Sequence, residues 1–152
     1  MEQNNTYYFR RVSQEDLEGV YTLLSTGLDE VERKYFPCTI EEVQIILNSN
    51  KDYAYVITDD CPSNFLAYGH MRTFNGKYET PALGIMVSRY FRGLNLGKIL
   101  CNYMLCDTYA MGYKDVMLKV NNQNRKALQL YLDLGFVMYN WDSDFIWLKK
   151  KF

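Results

Sequence analysis

The stretch Leu83–Gly97, which reads LGIMVSRYFRGLNLG, carries three backbone signals in succession. Its apolar residues up to Val87 are typical of a buried strand. Gly93 and Gly97 then favour a tight loop, because glycine adopts backbone conformations that other residues resist. From Leu94 onward, apolar residues recur at helical spacing. The stretch therefore predicts a strand, a loop and the start of a helix.

A loop that leads into the start of a helix is suited to binding an anion. The first N–H groups of a helix have no partner inside the helix, and the helix dipole adds partial positive charge there. Asn95 tolerates a left-handed backbone, and Arg92 and Lys98 add positive charge. The main-chain amides from Arg92 to Lys98 are therefore predicted to hold a phosphate group.

Two common phosphate-binding motifs do not fit this loop. A Walker loop requires a hydroxyl residue after Gly-Lys, whereas Ile99 follows Gly97 and Lys98. A dinucleotide-binding fold requires the spacing Gly-x-Gly-x-x-Gly, which Gly93 and Gly97 do not have.

The composition predicts a single globular domain over residues 1–152. The length is sufficient for one core, and 48% of the residues are hydrophobic. A net charge of −1 gives no electrostatic reason to expect nucleic acid, and no apolar run is long enough for a membrane span. The four cysteines lack metal-ligand spacing and the N-terminus is polar, so we expect no metal, no signal peptide and a cytoplasmic location. A monomer and a homodimer both remain open.

Periodicity and turn signals predict an α/β (α+β) fold with a mixed central sheet. About seven strands and four helices are expected in the order β-α-α-β-β-β-α-β-α-β-β. Ser13 and Thr39 are predicted helix N-caps, and residues 30–37 are predicted to be irregular. Asn75-Gly76 predicts a hairpin turn. The elements between Met86 and Val120 form one crossover, which predicts a parallel strand pair.

Two segments resemble sequence motifs of the GNAT acyltransferases. Arg92–Gly97 resembles motif A, Arg/Gln-x-x-Gly-x-Gly/Ala, which binds the pyrophosphate of acetyl-CoA; its first and last positions match, and Asn95 replaces the middle glycine. Asn124–Phe136 resembles motif B, Asn-x-x-Ala-x-x-x-Tyr-x-x-x-Gly-Phe, at all five anchor positions. The chain is thereby identified as a member of the GNAT superfamily, and its element order is similar to that of the GNAT fold over nearly the whole chain.

The resemblance implies a set of residues that bind acetyl-CoA. The loop would hold the pyrophosphate, and the pantetheine arm would pair with the backbone of the preceding strand, where one N–H group polarises the acetyl carbonyl. Asn124 either caps its helix or also hydrogen-bonds the cofactor arm. The implied cofactor-binding residues are Ile85, Met86, Val87, Arg92, Gly93, Leu94, Asn95, Leu96, Gly97, Lys98 and Asn124.

Tyr131 and Glu79 are the candidate catalytic residues. Tyr131 is either a core aromatic residue or the general acid that protonates the departing thiolate. An alkylammonium acceptor must also lose a proton, and several family members carry a glutamate about four residues before Val87, where this chain has Leu83. Glu79 is therefore a candidate general base, and His70, Asp144 and a chain of water molecules are the alternatives.

The activity implied by the resemblance is direct transfer of acetyl from acetyl-CoA to the primary amine of a small molecule, in a ternary complex. We expect the acceptor pocket between residues 30–36, residues 78–79 and the last hairpin. The run Tyr78–Ile85 also resembles GNATs associated with cell-surface sugar biosynthesis, which favours an amino sugar. The alternatives are a non-catalytic acyl-CoA-binding or regulatory domain, a peptide N-terminal or lysine acetyltransferase, and a binder of another nucleotide.

Overall fold

The computed structural model describes residues 5–152, which form one seven-stranded sheet in the order β1-β2-β3-β4-β5-β7-β6. The strands are β1 (Tyr8–Arg11), β2 (Tyr53–Thr58), β3 (Phe65–Arg72), β4 (Ala82–Val87), β5 (Asp115–Asn121), β6 (Val137–Trp141) and β7 (Phe145–Lys151). The helices are α1 (Leu17–Thr26), α2 (Glu30–Tyr35), α3 (Ile40–Asn48), α4 (Leu96–Ala110) and α5 (Arg125–Asp133). The predicted mixed sheet of about seven strands is confirmed.

Helices cover both faces of the sheet, and each face has its own core. On one face, α4 and α5 bury residues such as Leu100 and Tyr131 against strand residues that include Leu83. On the other face, α1 and α3 pack against Met86 and its neighbours. Leu83 and Met86 lie on opposite faces because successive side chains of a strand alternate.

Residues 5–152 contain five α-helices rather than the predicted four. The additional helix is α2, in the segment predicted to be irregular, and that prediction was wrong. The Asp29 side chain accepts a hydrogen bond from the Glu32 N–H at 2.8 Å, and the Glu32 carboxylate accepts one from the Asp29 N–H at 3.1 Å. This capping box satisfies N–H groups that a short helix would otherwise leave unpaired.

The predicted turn at Asn75-Gly76 forms, but the strand after it, β4, does not begin directly after the turn. Residues 74–76 all have positive φ, and the buried Asp52 carboxylate accepts hydrogen bonds from the backbone of Thr73 at 2.6 Å and of Asn75 at 2.9 Å. These contacts hold the turn against the start of β2, and the chain joins the sheet again only at Ala82. Glu79 therefore lies in an exposed connection.

The predicted parallel pair is present, and its two strands separate almost at once. β4 and β5 pair at Ala82 and Met117, where the Met117 N–H donates to the Pro81 carbonyl at 2.9 Å. No later residues of these strands are paired with each other in the described chain. The remainder of β4 therefore faces a gap in the sheet.

A partly buried ion pair joins β1 to the start of α1. Arg10 donates to both carboxylate oxygens of Asp16, at 2.6 Å and 2.9 Å, and the Ser13 N–H donates to the same carboxylate at 2.8 Å. The hydrogen bond from Arg10 is the main reason that the pKa of Asp16 lies below its usual range.

We expect Asp16→Asn to lower the free energy of unfolding at neutral pH by roughly 1–3 kcal/mol, because Arg10 loses a charged partner. A depressed folded-state pKa means that the carboxylate contributes fully above its unfolded pKa of about 3.9, and that this contribution is lost as pH falls through the lower folded value. The difference from wild type should therefore shrink below about pH 4 in urea denaturation. The exposed neighbour Glu15, changed to Gln, is the control; a difference independent of pH would contradict the assignment.

Candidate active site

The edge of β4 that faces the gap exposes backbone hydrogen-bonding groups. The Ser88 N–H donates to the Leu66 carbonyl of β3 at 2.9 Å, and Met86 lies opposite Tyr68 in the same register. Because backbone groups alternate in direction along an antiparallel pair, Ile85 and Val87 direct their N–H and C=O groups away from β3. These are the two residues whose backbone the sequence predicts to pair with the cofactor arm.

A cleft of about 510 Å³ occupies this gap. Its walls come from both faces of the sheet and from the segments that follow β4 and β5. The lining comprises Leu28, Glu32, Tyr35 and Phe36 near α2, residues 83–87 of β4, Arg92, Gly97, Lys119, Val120, residues 123–127, Leu130 and Tyr131.

The cleft has a charge balance different from that of the whole chain. Arg92, Lys119, Arg125 and Lys126 line it, and Glu32 is the only carboxylate among the described lining residues. The chain as a whole has a net charge of −1. The cleft is therefore suited to an anionic ligand, although the average charge gave no hint of this.

The loop before α4 leaves its amides available. Among residues 5–152, no acceptor pairs with the N–H groups of residues 93–98, and the first amide of this region that is bonded belongs to Ile99, which donates to the Asn95 carbonyl at 3.1 Å. Asn95 has the expected left-handed conformation, with φ of 59°, and its side chain does not cap the helix. The positive end of the α4 dipole thus faces outward with unpaired donors.

Gly97 lies where the loop, β4 and α5 approach one another. A Cβ at this position would be 3.5 Å from the Val87 side chain and 3.7 Å from those of Ile85 and Leu130, which are ordinary contact distances. Leu96, by contrast, is buried in the core with 2% exposure, and the side chains of Leu94 and Lys98 are exposed outside the cleft lining.

The Tyr131 side chain is 6% exposed and lines the cleft. Its hydroxyl makes no hydrogen bond within residues 5–152, yet it is not among the buried polar atoms that lack a partner, so it reaches open space. Burial raises the pKa of Tyr131 well above its usual value, with a smaller contribution from Cys101. The hydroxyl therefore keeps its proton at neutral pH.

Asn124 performs one of its two predicted roles within the protein itself. It is the N-cap of α5, and its side chain accepts a hydrogen bond from the Ala127 N–H at 3.4 Å. Asn124 also lines the cleft, so its amide group is accessible to a ligand there.

The structure separates the candidate bases from Tyr131. Glu79, His70 and Asp144 are all absent from the described lining of the cleft. The His70 ring lies behind the lining residues Phe36 and Gly84: its centroid is 5.5 Å from that of Phe36, and its Nδ1 atom is 3.3 Å from the Tyr68 hydroxyl. Burial lowers the pKa of His70 to about 3, so its ring is neutral.

Sequence reasoning missed several residues that line the cleft. Glu32 could have been found from the Asp29/Glu32 capping-box pattern, and Arg125 and Lys126 directly follow the motif residue Asn124. Lys119 carried no local signal; its ammonium group lies 4.2 Å from the centre of the Phe145 ring. Of the segments expected to form the acceptor pocket, residues 30–36 contribute Tyr35 and Phe36 to the cleft but not Arg33, and residues 78–79 and the last hairpin contribute none of the described lining.

A sequence model described as the acetyltransferase (GNAT) family matches residues 17–136, which include both motifs and all the described residues that line the cleft. The chain belongs to the GNAT family. Members of this family are acyl-CoA-dependent N-acetyltransferases. No curated protein sequence matches the chain significantly.

Solved structures agree with this GNAT assignment at the level of the fold. The GNAT domain of S. lividans PAT has a TM-score of 0.82 and 13% identity, with 97% of each chain covered. The ribosomal-protein-S18-alanine N-acetyltransferase from Escherichia coli has a TM-score of 0.79 and 16% identity, with 96% of this chain and 94% of that chain covered. The spermidine N-acetyltransferase from Vibrio cholerae, in complex with CoA and spermine, has a TM-score of 0.77 and 17% identity, with 95% of each chain covered.

The described part of this GNAT chain contains neither a cluster of metal ligands nor a membrane-spanning helix. In residues 5–152, no group of three or more histidine, cysteine or acidic side chains is arranged to hold a metal ion. No helix in the same part of the chain has the length and apolar character needed to span a membrane.

The two loop glycines should respond differently to substitution by alanine. Gly93 has φ of +81°, so Gly93→Ala should lower the free energy of unfolding by roughly 1–2 kcal/mol. Gly97 is in the first turn of α4 and has room for a methyl group, so Gly97→Ala should be neutral or stabilising by up to about 1 kcal/mol. Urea denaturation of both variants measures this; equal losses at the two positions would contradict the loop geometry.

Proposed function

We propose that this GNAT chain transfers acetyl from acetyl-CoA directly to the primary amine of a small molecule, in a ternary complex. The observation that carries the proposal is the cleft itself, which borders the loop of unpaired amides at Arg92 and Gly97 and is also lined by the backbone edge of β4 and by Tyr131. An amino sugar is the acceptor class that we favour, on the resemblance of residues 78–85 noted above.

The residues of the cleft fit the proposed cofactor. A diphosphate is compatible with the amides of residues 93–98 and with the surrounding cations, because both stabilise negative charge. The side chains of Ile85, Val87 and Leu130 form an apolar part of the cleft lining beside Gly97. Bound acetyl-CoA would supply the acetyl thioester.

The backbone of β4 would align the arm of the cofactor. Ile85 and Val87 direct backbone donors and acceptors along an edge that β5 does not pair, where an extended amide-containing chain can bind as an additional strand would. The Val87 carbonyl accepts hydrogen bonds from the Arg92 guanidinium group in this structure. An N–H group of this edge, fixed by the pairing of β4 with β3, would donate to the acetyl carbonyl oxygen as negative charge develops there. Met86 would contribute only as the residue that joins Ile85 to Val87 in β4, because its side chain packs into the core on the opposite face.

Tyr131 would act as the general acid. Its Oη holds a proton at neutral pH and has no partner in the described chain, so the proton is available to a sulfur atom in the cleft. A phenol is a weaker acid than a free thiol. However, the same burial that raises the pKa of Tyr131 would also raise the pKa of a thiol beside it, and this narrows the difference between them.

The base that would accept the proton of the amine is less directly indicated than the general acid. Glu79 stays our sequence-derived proposal for the base, but it is exposed and does not line the cleft, so water would have to connect it to the reacting amine. His70 is a weaker proposal, because its half-buried ring has a pKa of about 3 and accepts protons poorly.

Calorimetric titration tests the cofactor assignment. We expect CoA to bind with measurable heat, and ATP and NAD to bind at least about tenfold more weakly, because only CoA would use both the loop amides and the β4 edge. Acetyl-CoA should then release free thiol in the presence of an accepted amine, in a screen of amino sugars, polyamines and N-terminal peptides. Equal affinity for all three nucleotides would favour a binder of another nucleotide.

Tyr131→Phe tests the catalytic assignment. It should lower kcat by roughly 100-fold with little change in the Kd for CoA, because the ring still packs while the proton donor is lost. Tyr139→Phe, on the exposed strand β6 and outside the cleft, is the matched control. An unchanged kcat in Tyr131→Phe would remove the general-acid role. Binding of CoA without turnover of any amine by the wild-type protein would favour a non-catalytic acyl-CoA-binding domain.

A further inference from the structure

Glu32 occupies an unusual position, because it is the one carboxylate that lines a cleft with four cationic side chains in the described chain. It lies in the first turn of α2, and its side chain is 20% exposed. One carboxylate oxygen accepts the Asp29 N–H in the capping box, and the other is paired with Nη1 of Arg92. The capping box uses only one oxygen, so a change of partner at the second oxygen would leave the cap intact.

Arg92 connects Glu32 to the open edge of β4. While Nη1 contacts Glu32, its Nε and Nη2 atoms donate to the Val87 carbonyl at 3.2 Å and 2.9 Å. A carbonyl oxygen has two lone pairs, and these two donors occupy both. In this arrangement Arg92 covers an acceptor that the proposed cofactor arm would need.

The partners of Arg92 must therefore change when a cofactor enters. A diphosphate offers the guanidinium group more negative charge than one carboxylate and permits bidentate hydrogen bonding. Transfer of Arg92 to the diphosphate would free the Val87 carbonyl. It would also leave the outer oxygen of Glu32 without its cation, facing the cleft.

The position of Glu32 places that oxygen on the side of the sheet opposite to α4 and α5. Phe36, at the end of α2, packs with the core formed by α1 and α3, whereas the loop amides and Tyr131 belong to the α4 and α5 face. Because β4 and β5 are separated, the two faces meet only within the cleft. On the α2 side, Glu32, Tyr35 and Phe36 line the same cleft as the β4 edge.

We propose that Glu32 binds the ammonium group of the acceptor after the diphosphate of the cofactor has taken Arg92 from it. This inference rests on the acyl-CoA function proposed above and specifies its acceptor as one that carries a positive charge when it binds. It also sets an order, in which the cofactor binds first and the acceptor second.

Glu32→Gln isolates the charge of this side chain. Glutamine at the same position still fits a capping box, so α2 should remain folded, but the ion pair with Arg92 is lost. Glu30→Gln removes an equal charge from the same helical turn at an exposed site without an ion pair, and is the matched control. Circular dichroism and thermal unfolding verify that both variants are folded.

Two measurements are required. Calorimetry with CoA should show roughly two- to fivefold tighter binding to Glu32→Gln than to wild type, because Arg92 no longer has to leave a carboxylate. With the best amine from the screen, the KM of Glu32→Gln at saturating acetyl-CoA should rise roughly tenfold or more, because the ammonium loses its charged partner. Glu30→Gln should match wild type in both measurements.

The outcomes separate this inference from the proposed function. If CoA does not bind the wild-type protein, or if no amine is acetylated, the proposed function itself fails. If the wild-type protein binds CoA and acetylates an amine, but Glu32→Gln shows only one of the two changes or neither, the role of Glu32 is overturned and the acetyltransferase function stands. A purely structural role for Glu32 predicts equal or weaker CoA binding and reduced thermal stability.

Discussion

The separation of β4 from β5 is the constraint on which the rest of the structure depends. The two strands share only the contact at Ala82 and Met117, yet each is paired along its full length with another neighbour, β4 with β3 and β5 with β7. The gap therefore costs only the few hydrogen bonds that the two strands would have made with each other. Unpaired backbone groups inside a protein are unfavourable unless water or a ligand satisfies them. A gap of this kind can persist because water and a ligand can both enter the cleft.

Local signals in the sequence predicted the elements around this gap well. The glycine loop and the helical spacing after Leu94 depend on neighbouring residues, and so does the capping box at Thr39. The parallel pair followed from chain order alone, because a single crossover joins its strands. Helix α2 was missed because its six residues are too few to show an apolar period. Its only signal was the pairing of Asp29 with Glu32, which resembles ordinary surface charge when read along the chain.

The candidate site was harder to predict, because its walls are distant in sequence. Glu79 was proposed as a base because it precedes Leu83, the position at which several family members carry a glutamate, whereas Asp52 holds the turn at Asn75 and β4 begins only at Ala82. Glu32, Arg92 and Lys119 belong to different segments of the chain and line the same cleft only in the folded structure. Net charge is a sum over the whole surface, so it could not show that cations collect at one place.

The electrostatics of the cleft account for its single carboxylate. The first turns of α4 and α5 both line it, through Gly97 and Asn124, so two helix dipoles add positive potential to that of the four cationic side chains. A carboxylate that lines such a cleft pairs with a nearby cation. Arg92 is that cation, and it belongs to the loop that would also meet the anion for which the field is suited. Anion binding at the loop and the pairing of the Glu32 carboxylate would therefore be linked through the guanidinium group of Arg92.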